Sequence, residues 1–389
     1  MRSADQRLLV ALVATADRGV PFRSPTGIEA ARIVALARHH RLSPLLSIGS
    51  RPAGFSPEIA ETFRRDRLST LGRSTLLRHA LSEILAALDA RGVEVAVLKG
   101  IAYEDLIYPD PGTRPSSDID LLVRGSERRA ALGTLARLGY RPSAGAPGFD
   151  QPDYHEVSFR RDAVNVDLHF ALAPLVRGAI DYRALWNDMR TWSFAGRVTK
   201  TPSFVHAAVN QALHMAIHHF DVPALYLLDF RRLAAMATTA GQPEAAAAAD
   251  TIVRLRAAAR AWECLRALET TLALSAAFLG DPATGAAADA QGRGPGLSWL
   301  VERVIAGYGG LEPVSRPEQL GRKVLSFDHP RTAARYLWVQ GGRIVREHWL
   351  TRGDRARSAT QRLGLDHPAP PIDDNVDAAP PPKSQSTSR

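Results

Sequence analysis

Between residues 93 and 170 the apolar pattern changes period, and no all-helical fold can absorb that change. VEVAVLKG (93–100), DIDLLV (118–123), HEVSFRR (155–161) and VNVDLHF (164–170) are short, β-branched and partly alternating, the pattern of strands. The last two predict a hairpin turning at Asp162-Ala163. Between the first two, IAYEDLIY reads as a short helix and PDPGTRPSS as a loop. SERRAALGTLARLGY (126–140) reads as a helix with Ser126 as its N-cap.

On both sides of this island the helical period returns. Residues 4–90 place apolar side chains at helical spacing, and Gly92 ends the last of these helices. SFVHAAVNQALHMAIHHF, ALYLLDFRRLAAMAT and a long alanine-rich stretch do the same over 203–280. LSWLVERVIAGYG and PRTAARYLWVQGGRIVREHWL follow a Gly/Ala-rich loop at 284–296. The expected organisation is a helical region at 1–91, an α/β module at 92–175, a helical domain at 176–365 and a disordered tail at 366–389. The fold class is α+β: a small mixed β-sheet module flanked by mainly α-helical regions.

One cysteine, Cys264, excludes an intrachain disulfide and fits a reducing, cytoplasmic setting. The N-terminal MRSADQRLLVALVATADRG faintly mimics a signal peptide, but Asp5 lies in its basic segment and its apolar run is short, so secretion is not expected. No segment reaches the ~18 apolar residues of a membrane span. The formal charge is +9, nearly all of it scattered arginine; Lys99, Lys200, Lys323 and Lys383 are the only lysines. Such a charge names no specific partner.

The chemistry concentrates in the module. Residues i and i+2 of a strand share a face, so Asp118 and Asp120 point one way while Ile119 and Leu121 point into packing. Asp167 and His169 repeat the arrangement. A DxD pair alone is common and reads more readily as the polar face of a strand; LKG before it and VDLH after it turn the reading toward function. If the two strands are neighbours, three carboxylates converge, repel one another and call for a divalent cation; oxygen-only ligands favour Mg²⁺ or Mn²⁺. Lys99-Gly100 closes the first strand at the start of a helix, where a phosphate can approach backbone N–H groups and a lysine charge. Carboxylate-held metal beside a phosphate cradle suggests phosphoryl or nucleotidyl transfer.

At these residues the sequence resembles the DNA polymerase β-like nucleotidyltransferase superfamily, and more closely its bacterial branch of uncharacterised nucleotidyltransferases. The resemblance lies in VAVLKGIAYEDLIYPDPGTRPSSDIDLLV, VNVDLHF and LHMAIHHFDVPALYLLDFRRL, within about 93–235. It implies a small mixed sheet with helices on one face. It further implies that Asp118 and Asp120 ligate Mg²⁺ and that Asp167 completes the site and helps deprotonate an acceptor hydroxyl. Lys99 and Gly100 then take the place of the phosphate-gripping glycine motif, with Arg114 and Ser117 close to the triphosphate. Most of the superfamily has Gly-Ser or Gly-Gly and a shorter spacing to DxD, where this chain has Lys-Gly and a longer loop.

Other candidates are weaker. His214 and His218 stand at i, i+4 on a helix but lack a third ligand or an HExxH pattern. They read as structural, the alternative being that they, like His169, surround the site. Asp229, amid leucines, reads as the partner of an arginine or histidine, and RHHR (38–41) as a solvated helix end. No G-x-S-x-G elbow supports a hydrolase.

The expected function is Mg-dependent transfer of an NMP from an NTP to a hydroxyl-type acceptor (a small molecule, peptide or protein) with release of pyrophosphate. The alternatives are a catalytically silent nucleotide-binding scaffold of the same fold and an RNA-end nucleotidyltransferase. Nucleic acid is not favoured, because the module lacks a Lys/Arg stripe with interleaved aromatics. A membrane partner is not expected.

Overall fold

The computed structural model describes residues 3–108, 110–143, 155–174, 179–238, 244–280, 294–312 and 314–338. The expected tail at 366–389 lies outside them. Four helices come first: α1 (Ala4–Arg18), α2 (Ala30–His39), α3 (Ser43–Leu46) and α4 (Pro57–Asp89). Ser3 and Gln6 form a reciprocal capping box at α1, and the Ser56 hydroxyl accepts from Ile59 N at 3.4 Å to start α4, with Pro57 in the first turn.

The sheet then begins with β1 (Val95–Val97), α5 (Ile101–Ile107), β2 (Asp118–Val123), α6 (Arg128–Arg137), β3 (Arg141–Pro142), β4 (Glu156–Arg161) and β5 (Val164–His169). Ser126 lies in a single 3₁₀ turn, Gly125–Glu127, before α6, so it does not cap that helix as expected. The hairpin between β4 and β5 does turn at Asp162-Ala163, with Asp162 at φ 52°.

Beyond α7 (Tyr182–Asn187) two further strands, β6 (Arg190–Phe194) and β7 (Arg197–Thr201), form a second hairpin through Ala195-Gly196, both at positive φ. The sheet therefore continues past residue 175, to Thr201. Its order is β3-β4-β5-β2-β1-β7-β6. It is mixed: β2 runs parallel to β5 and β1 parallel to β7, while the other neighbours are antiparallel. Helices α8 (Phe204–Ile217), α9 (Ala224–Met236), α10 (Glu244–Ala261), α11 (Leu265–Leu279), α12 (Pro295–Gly307) and α13 (Arg316–Leu325) complete the described elements named here.

The two sheet faces bury different cores. Ile119, Leu121 and Val123 of β2 and Val164, Val166 and Leu168 of β5 pack with Leu77, Leu81, Ile84 and Leu88 of α4 and Leu135 of α6. On the other side Ala96, Leu98 and Leu122 join a larger core built by helices from both ends of the chain, among them Leu8 and Leu12 of α1, Leu213 of α8, Leu228 of α9 and Leu272 of α11. Helices before and after the sheet thus share one apolar interior. Burying each such leucine is worth roughly 1.5–3 kcal/mol. This second face carries the polar residues of β2 and β5, and α8 and α9 stand opposite them.

Candidate active site

Strand register brings the carboxylates together. Asp120 pairs with Asp167 and Asp118 with Asn165 across the parallel β2–β5 ladder. Asp118, Asp120 and Asp167 all line one cavity of about 360 Å³. The residues between them point to the opposite core, as strand alternation requires. Lys99, Gly100, Arg114, Ser117, His169, His214 and His218, the remaining candidates from the sequence, line the same cavity.

Asp120 is the most enclosed of these three carboxylates, with 5% exposure. Its Oδ1 lies 3.0 Å from Lys99 Nζ and 3.1 Å from His169 Nε2. Burial opposes its charge, but Lys99 and His169 overcome that and hold its carboxyl below the usual range. Asp118 goes the other way. Burial first, then the charges of Asp120 and Asp167, push it up to about 6 against the pull of Lys99. Burial also raises Asp167, despite a hydrogen bond from Ser158. Burial opposes protonation of His169, yet Asp120 and Glu156 raise its pKa. Three crowded carboxylates, two of them resisting ionisation, form a donor set that a hard divalent cation fits.

Gly100 precedes α5 with φ 56° and ψ −112°, a conformation natural only to glycine. An added Cβ would stand 3.4 Å from Asp118 O and 3.5 Å from Ser116 Oγ. Helix α5 has only seven residues, so the positive charge at this corner comes mainly from Lys99.

The guanidinium of Arg114, expected near a triphosphate, is engaged elsewhere. Arg114 Nη2 lies 2.8 Å and Nε 3.1 Å from the Asp229 carboxylate, and Nη1 donates to Ser116 Oγ at 2.9 Å and Gly100 O at 3.3 Å. The Tyr108 hydroxyl adds a bond to Asp229 at 2.8 Å. The long loop before DxD is thereby tied to α9, and Arg114 fixes the backbone of Gly100 from behind. Asp229 is fully buried and arginine-paired, as its apolar surroundings in the sequence suggested. Ser117 lies exposed at the rim, where its side chain hydrogen-bonds Asp118.

Helix α8 supplies the opposite wall with Asn210, Gln211 and His214, and its C-cap adds His218. The rings of His214 and His218 meet at 4.5 Å between centroids, and burial followed by the Lys99 charge keeps His214 well below the usual imidazole pKa. Gln211 is 1% exposed, and its Nε2 donates to Tyr226 O at 3.3 Å.

RHHR is a solvated helix end only at Arg38 and His39, which are exposed in the last turn of α2. His40 is 2% exposed and its Nδ1 accepts from Ala224 N at 3.1 Å, while Arg41 reaches the cavity. His40 is drawn inward because its ring and its carbonyl both meet the start of α9. His155, Glu156 and Tyr226 also line the cavity without having been singled out by sequence. The register of the β4–β5 hairpin was the available signal for Glu156, since it sets that residue opposite His169.

Residues 26–280 match the model of a family described as "Uncharacterised nucleotidyltransferase". Among solved structures, the chain is similar to the antibiotic-resistance factor ANT(2'')-Ia in solution, with 19% identity and a TM-score of 0.34 over 48% of this chain and 92% of that one. It is also similar to ANT(2'')-Ia in complex with adenylyl-2''-tobramycin, with 20% identity and a TM-score of 0.33 over 47% and 96%. A third likeness is to an antigenic nucleotidyltransferase-like protein from Paracoccidioides brasiliensis, with 16% identity and a TM-score of 0.28 over 49% and 92%. No curated protein matches the chain. No helix among the described residues is long and apolar enough to cross a membrane.

Proposed function

The chain belongs to the uncharacterised nucleotidyltransferase family, and from that premise we propose that it moves an NMP from an NTP to a hydroxyl of an acceptor and releases pyrophosphate. The observation that carries this reading is the pairing of Asp120 with Asp167 on adjacent parallel strands, Asp118 beside them and Lys99-Gly100 at the same cavity.

Asp118, Asp120 and Asp167 would hold Mg²⁺ or Mn²⁺, which when bound neutralises charge on the phosphates. Lys99, with its ammonium at the cavity wall, sits beside the incoming triphosphate, and the unobstructed backbone of Gly100 lets a phosphate approach closely. The acceptor oxygen attacks the α-phosphorus, a new P–O bond forms, and the bond to the pyrophosphate oxygen breaks. The hydroxyl proton passes to Asp167. Its pKa, raised chiefly by burial, makes it a stronger base than an ordinary carboxylate. Arg114 acts as a positioning residue here, through the Gly100 carbonyl, and Ser117 bears on the site through Asp118. Asn210, Gln211, His214 and His218 form the wall that faces the nucleotide and acceptor.

The test combines thermal stabilisation by Mg²⁺ with each NTP and pyrophosphate release from labelled NTP with candidate acceptors. Asp118→Ala and Asp120→Ala should each abolish Mg²⁺-dependent nucleotide binding or turnover in a folded protein. Full activity in both variants would overturn the assignment. Binding without pyrophosphate release for any acceptor would favour a silent nucleotide-binding scaffold.

A further inference from the structure

Beside the carboxylates, β4, the residue before it and β5 present donor atoms that the transfer reaction does not use. His155, Glu156 and His169 each bring one ligand atom within 4.8 Å of the others. Glu156 Oε2 lies 3.1 Å from His169 Nδ1 and 3.5 Å from His155 Nε2. A tetrahedral site with metal bonds of about 2.0–2.2 Å has ligand–ligand edges of roughly 3.3–3.6 Å, close to these separations.

His169 Nδ1 gives an independent indication. The residue is 6% exposed, and Nδ1 is a buried atom without a well-formed hydrogen bond. The other ring nitrogen, Nε2, meets Asp120 Oδ1 at 3.1 Å. A carboxylate that accepts from Nε2–H leaves the Nδ1 lone pair directed away from it, the arrangement in which proteins hold a ligating histidine. In the neutral ring that lone pair faces a carboxylate oxygen of Glu156, acceptor against acceptor, a contact that only a proton or a metal ion between the two atoms makes favourable.

We propose that His155, Glu156 and His169 form a second metal site, for a first-row transition cation of the zinc type. Two imidazoles and one carboxylate suit zinc and its neighbours and disfavour Mg²⁺, which prefers oxygen ligands. All three residues line the cavity, so the remaining coordination position opens onto substrate space. A water, or an oxygen of nucleotide or acceptor, completes the shell there. The site is distinct in ligands from the one assigned to Asp118, Asp120 and Asp167, and it does not depend on the transfer reaction.

The experiment strips the full chain with a chelator and titrates it with Co²⁺, then with Zn²⁺, in excess Mg²⁺. One equivalent of Co²⁺ should bind with the visible absorption of low-coordinate cobalt, displaced by Zn²⁺ and not by Mg²⁺. Glu156→Gln and His155→Gln should each weaken Zn²⁺ binding about 10²-fold or more, since loss of an outer-shell partner alone costs 10–100-fold. Glu156 is partly exposed, so its variant keeps the assay meaningful if the histidine variant folds poorly. Asp118→Asn should retain zinc while losing Mg²⁺-dependent nucleotide binding, which separates this proposal from the reading of the main site. Absence of the cobalt absorption, zinc affinity unchanged in both glutamine variants, or zinc lost instead in His214→Ala would overturn it.

Discussion

Arg114 and Asp229 form a fork-to-fork ion pair between the loop before β2 and helix α9, with contacts of 2.8 and 3.1 Å and exposures of 5% and 0%. Burying two charges costs free energy that only good geometry offsets. Here the geometry is bidentate, and Tyr108, Ser116 and the Gly100 carbonyl satisfy further hydrogen-bonding positions. Removing one partner leaves a charge buried alone. Arg114→Met and Asp229→Leu should therefore each destabilise the fold by about 3–5 kcal/mol. The double substitution should recover much of that loss, because the two apolar groups no longer need each other. Denaturant unfolding of the three variants checks this. A double variant no more stable than the worse single one would show that the pair is not coupled. Turnover should stay low in the double variant, since Gly100 O then keeps only its helical bond from Glu104 N and loses its tie to the guanidinium.

Two glycines should respond differently to alanine. Gly112 has φ 72°, and an added Cβ would come 2.8 Å from Leu71 Cβ on α4. Gly112→Ala should cost on the order of 1–3 kcal/mol of stability, while nucleotide affinity per folded molecule changes little. At Gly100 the added Cβ meets its neighbours at ordinary contact distance, 3.4 Å at the nearest, but the backbone conformation excludes it. Gly100→Ala should therefore shift the Lys99-Gly100 corner and weaken NTP binding at least ~10-fold, about 1.4 kcal/mol. Melting temperatures and nucleotide titrations, measured on both variants, separate the two effects. Equal losses of NTP affinity would argue against a phosphate role for Gly100.

The pattern that proved readable was local. Alternation in DIDLLV and VNVDLHF assigned faces, and those faces hold: Ile119 and Leu121 are in the core while Asp118 and Asp120 line the cavity. What stayed hidden depended on distant partners. RTWSF and RVTKT are short and polar, and β7 becomes part of the sheet through its parallel contact with β1 at Ala96–Lys200. Nothing in RHHR indicated that His40 would receive the N–H of Ala224, a residue far along the chain. Arg114 was expected at the phosphates because its position before DxD is informative and its partner, 115 residues away, is not. His155 and Glu156 read only as the opening of a strand, although the hairpin register already set Glu156 across from His169.

Lys99 is assigned to phosphate as well as to Asp120, and the two roles can be separated. Its ammonium is 3.0 Å from Asp120 Oδ1, where it opposes carboxylate repulsion. Lys99→Met should weaken NTP binding about 10–100-fold, or about 1.4–2.7 kcal/mol, and affect the bare nucleoside far less. Isothermal titration with NTP, NMP and nucleoside gives the comparison. A uniform loss across all three would mean that Lys99 only shapes the cavity.

His40 provides a pH prediction at a distance from the carboxylates. Burial, with help from the neighbouring His39, lowers its pKa from 6.5 to about 3. The unfolded chain therefore takes up a proton on this residue between pH 6.5 and about 3 while the folded chain does not. Stability from the neutral ring is complete above the unfolded pKa and is lost as pH falls through that window, with a limiting slope of about 1.4 kcal/mol per pH unit. His155, brought to about 4 mainly by burial, adds in the same direction. The contribution of His40 is isolated by His40→Asn, whose side-chain oxygen can still accept from Ala224 N. The variant should be less stable than the parent at pH 7.5 because a smaller side chain fills the site, and the gap should narrow on acidification from pH 6.5 to 4. Urea unfolding of both proteins across that range measures the gap at each pH. Parallel curves would show that His40 is protonated in the folded chain, or exposed, and that its burial against α9 does not resist charge.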